Sequence, residues 1–167
     1  MFSKTNEAIF GVPKFLSTEI EERKTKYCLC IPIINEGERI HKQLQRAQQH
    51  RIDKLVDIII CDGDSTDGST DIIQLKILGV NTLLTKKDSG KQGAQLRMGF
   101  WFALARGYEG IITIDGNNKD SIESIPLFIE KLEQEFEREP SAEELSEIYS
   151  LYFVCKIGEW QIDQLWN

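Results

Sequence analysis

Apolar and polar positions alternate in blocks along this chain, and the blocks are of two kinds. Short, largely apolar runs at residues 27–34, 56–61 and 111–114 each end in a polar turn containing glycine. Runs of that length, bounded by turn residues, predict strands buried on both faces, the pattern of a parallel sheet. Residues 81–84 form a fourth, weaker run of the same kind. Between these runs the apolar residues recur at helical spacing. Ile40, Leu44 and Ala47 make one such stripe; Ile72, Ile73 and Ile77 make a second, stopped by Gly79. Leu96, Phe100, Ala103 and Leu104 predict the inward face of a third helix ending near Gly107. Ile122, Ile125, Ile129, Leu132 and Phe136 predict a fourth, with Pro126 tolerated in its first turn. Ahead of the first strand, Phe15, Leu16 and Ile20 after Pro13 predict a short amphipathic helix. Strands alternating with helices imply an α/β fold with a mostly parallel sheet and helices on both faces.

Composition narrows the class. The chain has 167 residues, 41% hydrophobic and 28% charged, which excludes a disordered or collagen-like polymer. With 20 Lys and Arg against 27 Asp and Glu the formal charge is −7, a poor match to nucleic acid, whose phosphates need clustered cations. An anionic small molecule is not excluded, since a metal ion reverses the sign locally. The run at 27–34 is too short to span a bilayer, and the first residues lack the layout of a signal peptide, so a reduced cytoplasmic protein is expected. Cys28, Cys30, Cys61 and Cys155 show no zinc spacing, and Cys28 and Cys30 read as small core residues sharing one face of a strand. The acidic stretch 133–147 reads as a solvated helical surface or a linker, and 150–157 as one more strand or a docking helix.

Candidate chemistry sits at the strand ends. In open α/β sheets ligands bind outside the carboxyl ends of the strands. Three such ends carry acids: Glu36, Asp62 with Asp64, and Asp115. Hard oxygen donors beside glycine-rich turns suit Mg²⁺ or Mn²⁺, which commonly bind through one or two carboxylates plus substrate phosphates. Ser65, Thr66, Asp67 and Ser69 read as cap or turn formers, whereas Asp62 and Asp115 directly follow apolar strands and read as functional.

These segments resemble a family. Ile31-Pro32-Ile33-Ile34-Asn35-Glu36 is similar to the P-x-x-N-E turn of family 2 glycosyltransferases of the GT-A fold, a Rossmann-like α/β architecture. The stretch from Asp62 to Ser69 resembles that family's Asp-x-Gly-Ser-Thr-Asp-Gly-Thr, with Asp64 in place of Gly and Ser69 in place of the last Thr. Gly90 to Gly99 resembles its glycine-rich turn and helix, and Asp115-Gly116-Asn117 falls at its D-x-D. The nearest branch is that of polyprenyl-phosphate sugar transferases, which includes dolichol-phosphate mannose synthases.

The resemblance implies a metal-assisted glycosyltransferase with a UDP- or GDP-sugar as donor. Residues 1–137 would be the nucleotide-sugar-binding domain, and 138–167 an extension. Pro32, Ile34 and Glu36 would line the base and ribose pocket, and Asp62 would accept a hydrogen bond from the base. Lys91 and Gly93 would lie near the phosphates, with Arg97 on a solvated helix face. Asp115 and Asn117 would face the metal, and Asp120 is an alternative ligand. Asn117 replaces the usual second acid, so weaker metal affinity follows.

After Leu132 nothing resembles the family's acceptor half, so the catalytic base is not assigned. A lipid phosphate is one acceptor class. Tyr149, Tyr152, Phe153, Trp160 and Trp166 offer a homo-oligomer contact. Two other classes remain. One is a silent sugar-nucleotide-binding or assembly module. The other is a Mg²⁺-dependent phosphatase of the haloacid-dehalogenase type, with Asp62 as nucleophile, Asp64 as acid, Asp115 and Asp120 as the late acids, and Lys86 or Lys91 as the balancing lysine.

Overall fold

The computed structural model describes residues 3–5, 11–135 and 154–156. The apolar runs become the central strands β3 (Tyr27–Ile33), β4 (Asp57–Asp62) and β6 (Gly110–Thr113), and every residue in all three is buried. The weaker run becomes β5 (Val80–Lys86). The helical stripes become α1 (Glu38–Gln49), α2 (Ile72–Ile77), α3 (Gln92–Ala105) and α4 (Ile125–Glu135), the last entered through a 3-10 turn at Ile122–Ser124. Two edge strands complete one side, β1 (Ser3–Thr5) and β2 (Phe15–Glu19), and β7 (Val154–Lys156) the other.

The seven strands form one sheet in the order β1-β2-β5-β4-β3-β6-β7. The four central strands β5, β4, β3 and β6 are parallel. The edge pairs β1–β2, β2–β5 and β6–β7 are antiparallel. The expected parallel sheet is therefore the centre of a mixed one. The stretch expected as an extension contributes at least β7 to this same sheet. Alternation along β3 divides the core in two. Leu29, Ile31 and Ile33 pack with Ile40, Leu44, Ala47, Leu75 and Ile125 on the side of α1, α2 and α4. Cys28 and Cys30 face Met98, Phe102 and Ala103 of α3 on the other side, so helices cover both faces.

Two local expectations are corrected. The segment after Pro13 is the strand β2, not a helix. Five residues are too few to nucleate a stable helix, and the outer edge of β5 offers unpaired backbone groups that β2 satisfies from Phe15↔Lys86 to Glu19↔Thr82. On α3 the buried face is Ala94, Gln95, Met98, Gly99, Phe102 and Ala103, turned away from Leu96 and Leu104. That helix is apolar nearly all round, so spacing could not choose its face. Small residues chose it, letting the helix approach the sheet. The N-cap of α2 is Asp71, whose carboxylate accepts from Gln74 N at 2.8 Å, and Ser65, Thr66, Asp67 and Ser69 lie in the loop before it, where Asp67 Oδ1 accepts from Ser69 N. The cysteines 28, 30 and 61 are free and buried, as read. Phe136, the aromatic residues from Tyr149 to Phe153 and beyond 156, and most of the acidic stretch lie outside the described residues.

Candidate functional site

Strand order decides where a ligand can enter. The chain lays β4 and then β5 on one side of β3, and places β6 on the other, so the winding reverses at β3. The loops leaving β3 and β6 diverge there and leave a crevice outside the strands' carboxyl ends. A cavity of about 390 Å³ occupies that place. This is within the usual size of a small-molecule site.

One wall comes from the end of β3, where Pro32, Ile34 and Glu36 line the cavity. Ile34 is 58% exposed, an apolar side chain held out at the mouth. The turn is fixed from the neighbouring loop. Asn35 stands in the left-handed region at φ 50°, its N–H donates to Ser65 Oγ at 2.8 Å, and its Oδ1 accepts from Thr66 N at 2.9 Å. Gly37 N donates to Ser69 Oγ at 2.8 Å. The turn thus docks through Asn35 and Gly37 onto Ser65, Thr66 and Ser69 of the second loop. Glu36 pairs with Arg39 at 2.9 Å, although that contact lacks hydrogen-bond geometry and leaves the buried Oε2 without a hydrogen-bond partner.

The opposite wall is the loop after β6, with Asp115, Gly116 and Asn117 on the cavity. Gly116 lies so close to Ile33 that a Cβ there would collide with it. Helix α1 holds this loop from behind. The fully buried Gln43 donates to Asp115 O at 2.8 Å and accepts from Asn118 N at 3.0 Å. Arg46 donates to Asn118 Oδ1 at 2.9 Å and pairs with Glu123. Asp120 accepts from Asp115 N at 3.0 Å, so it serves the loop. Asp115 is exposed, and its Oδ1 accepts from Gln92 Nε2 at 2.7 Å. Asn117 Oδ1 accepts from Lys119 N at 3.0 Å.

The floor belongs to β5 and α3: Lys86, Lys91, Gln92 and Gln95, with Gly63 beside them. The Gln95 amide donates to the carbonyls of Ile33 and Cys61, tying α3 to the ends of β3 and β4.

Of the residues expected from sequence, Pro32, Ile34, Glu36, Lys91, Asp115 and Asn117 meet around one cavity. Asp62 and Gly93 are not among its lining residues. Asp62 is 1% exposed, and its carboxylate accepts from Asp64 N, Ser65 N and Ser65 Oγ. Burial pushes its pKa up, against the lowering effect of the Ser65 bonds. Asp64 stands at φ 77°, which accounts for glycine in the pattern it departs from, and pairs with Lys87 at 2.6 Å. A phosphatase would need both carboxylates turned to a substrate, and this pair is turned to its own loop and to a lysine. Arg97 is exposed and donates to Gly11 O. Lys86, as the end of β5, obeys the same strand-end rule as the acids and was legible that way. Gln92 and Gln95 carry no sequence signal, because a helical glutamine is ordinarily solvated.

Among the described residues no three His, Cys, Asp or Glu side chains group as a metal site. The oxygen donors at the cavity are the carboxylates of Asp115 and of Glu36, the latter paired with Arg39, and the amide oxygen of Asn117. That set fits only a divalent ion whose remaining ligands come from bound phosphates and water. No helix among the described residues is long and apolar enough to cross a membrane.

No family model matches this chain, and no curated protein matches it. Among solved structures it is similar to glucosyl-3-phosphoglycerate synthase from Mycobacterium tuberculosis, solved with Mn²⁺, UDP and glucosyl-3-phosphoglycerate. The identity is 19% and the TM-score 0.47, over 66% of this chain and 39% of that one. It is also similar to a candidate nucleotide-diphospho-sugar transferase from Desulfovibrio desulfuricans G20, at 9% identity and TM-score 0.47, over 66% of this chain and 55% of that one. The chain thus spans roughly two-fifths to just over half the length of these proteins.

Proposed function

We propose that this cavity binds a nucleotide-diphosphate sugar, UDP- or GDP-linked, and that the chain is the donor-binding part of a GT-A-like, family 2 type glycosyltransferase. The carrying observation is the crevice at the β3/β6 reversal. It sets an apolar wall, Pro32 and the exposed Ile34, opposite a polar wall with Asp115 and beside two lysines. A flat base suits the first wall and a diphosphate the second. Asp62 contributes through the loop it orders, which carries Ser65 to the Asn35 turn. Gly93 shapes the first turn of α3 behind Lys91.

A divalent ion, Mg²⁺ or Mn²⁺, would be held by Asp115 and Asn117 and would supply charge neutralisation at the departing diphosphate. The chain's own residues orient the ligand: α1 fixes the Asp115 loop through Gln43, and Gln92 sets the Asp115 carboxylate. The polyprenyl-phosphate branch, a lipid-phosphate acceptor, a cytoplasmic location and self-association through residues beyond 137 all belong to this proposal. A silent binding module is the second reading, favoured by one observation. Of the two acids on the cavity wall, Glu36 is paired with Arg39 and Asp115 is the carboxylate that would hold the ion, which leaves, among the described residues, no third acid on that wall to serve as base.

A thermal-shift panel of UDP- and GDP-sugars, with and without Mn²⁺, tests the binding. At a hundred times the dissociation constant a ligand stabilises the fold by about 2.7 kcal/mol. One base is expected to give a shift that Mn²⁺ enlarges, and Asp115→Ala to abolish the enlargement while unfolding normally. No shift with any nucleotide would overturn the reading, and an unchanged Mn²⁺ response in Asp115→Ala would remove that residue from the metal.

A further inference from the structure

Lys86 closes β5 with a side chain only 8% exposed, on the cavity floor. Its ammonium donates to the backbone oxygen of Asp88. Among the described residues no ion pair includes it. The two acids lining the cavity have other partners, Glu36 in Arg39 and Asp115 in Gln92, and Asp64 pairs with Lys87. Burying an ammonium without an opposite charge is unfavourable, because a carbonyl dipole replaces only part of its hydration. An ammonium has three donors, and one bond to Asp88 leaves two for a ligand.

Its surroundings carry the same sign. Lys91, exposed on the cavity, is the N-cap residue of α3. That 14-residue helix has no side-chain cap and no acid of its own in its first turn, so its positive dipole end meets the cavity, where the Asp115 carboxylate accepts from Gln92. Metal donors, by contrast, are sparse: beside Glu36, which is paired with Arg39, they are the Asp115 carboxylate and the Asn117 amide.

We propose that Lys86, with Lys91 beside it, forms an anion subsite that holds the ligand's phosphates without a divalent ion. As applied to a nucleoside diphosphate the inference rests on the function proposed above, while the subsite itself is defined by its anion. A divalent ion, when bound, would add charge neutralisation to a ligand that the lysines already hold. Arg at this position would keep the charge in a larger head group, and Met would keep the apolar stem without it.

The experiment is isothermal titration of the whole chain with inorganic pyrophosphate, UDP, GDP, uridine and guanosine, each in EDTA and in Mn²⁺. Pyrophosphate and one nucleoside diphosphate are expected to bind in EDTA. Lys86→Met should weaken both by about tenfold or more, Lys86→Arg should recover part of the loss, and the matching nucleoside should be unaffected. Equal pyrophosphate affinity in the wild-type chain and a folded Lys86→Met overturns the subsite. So does binding seen only with Mn²⁺, which leaves the nucleotide reading standing. Lys86-dependent pyrophosphate binding with no nucleotide bound supports the subsite and overturns the nucleotide reading. No binding of any probe overturns both. If Lys86→Met does not fold, the wild-type arm in EDTA decides, binding there supporting the subsite and its loss overturning it.

Discussion

Asp62 shows how a single carboxylate can organise a site without lining it. It ends β4 and is buried, and three donors from Asp64 and Ser65 converge on it. Ser65 in turn receives the N–H of Asn35 from the other wall. Removing the acceptor would strip these partly buried donors of their partner, at about 0.5–1.5 kcal/mol each. The charge has the opposite effect. Burial, the largest influence, raises the folded pKa above the unfolded value. Asp62 therefore favours folding most when protonated, below its unfolded pKa, and that contribution is lost as pH rises through the folded value. Relative to Asp62→Asn, which does not titrate, wild-type stability should fall as pH climbs from about 3 to 7. Urea unfolding of both proteins across that range checks this. A wild-type advantage that grows with pH would show that the hydrogen bonds outweigh burial.

Among the elements, α3 carries the most at once: it covers one face of the sheet, supplies the cavity floor and ties β3 to β4 through Gln95. Its close approach depends on Gly99, where a Cβ would stand 2.6 Å from Cys61 Sγ and 3.3 Å from Cys30 Sγ. The thiols meet there because Cys28, Cys30 and Cys61 project from the same face of β3 and β4. Burial first, then the neighbouring Cys30, pushes the Cys28 thiol well above its usual range, consistent with a packing role. Gly99→Ala should cost about 1–3 kcal/mol through overpacking. Cys61→Ala in the same chain should recover part of that, because it vacates the space the new methyl needs. Chemical denaturation of the two single variants and the double measures the coupling, and strict additivity would mean that α3 shifts as a body instead.

On the scale of the whole molecule, one reversal of winding brings together residues from 32 to 117. It produces a crevice whose acids, among the described residues, are Glu36, paired with Arg39, and Asp115, bonded to Gln92. The purified chain should therefore bind a sugar nucleotide and yet give little transfer to a polyprenyl phosphate or a sugar acceptor. A productive base must lie within about 2.6–3.2 Å of the acceptor proton, or reach it through one water. Following product formation alongside calorimetric binding separates the two outcomes. Robust turnover without a second protein would mean that the base lies among the residues beyond 135.

The central strands, the four helices and the strand-end acids were legible because each depends on neighbours in the chain. A strand buried on both faces must be an apolar run, a packed helix must repeat its apolar residues every three or four positions, and a carboxylate after such a run must emerge at a sheet edge. Other features depend on what packs alongside, and no local pattern encodes that. The segment at 15–19 became a strand because the edge of β5 needed partners, and α3 set Gly99 against the sheet because a Cβ there would meet Cys61 and Cys30. The tertiary structure also turned Asp62 inward to Ser65 while leaving Asp115 on the cavity, although both acids follow an apolar strand. It placed Lys86 and Lys91 on one floor with no acid paired to Lys86. These are decided by the close packing of side chains distant in sequence, where the space and charge offered by one element determine what its neighbour can do.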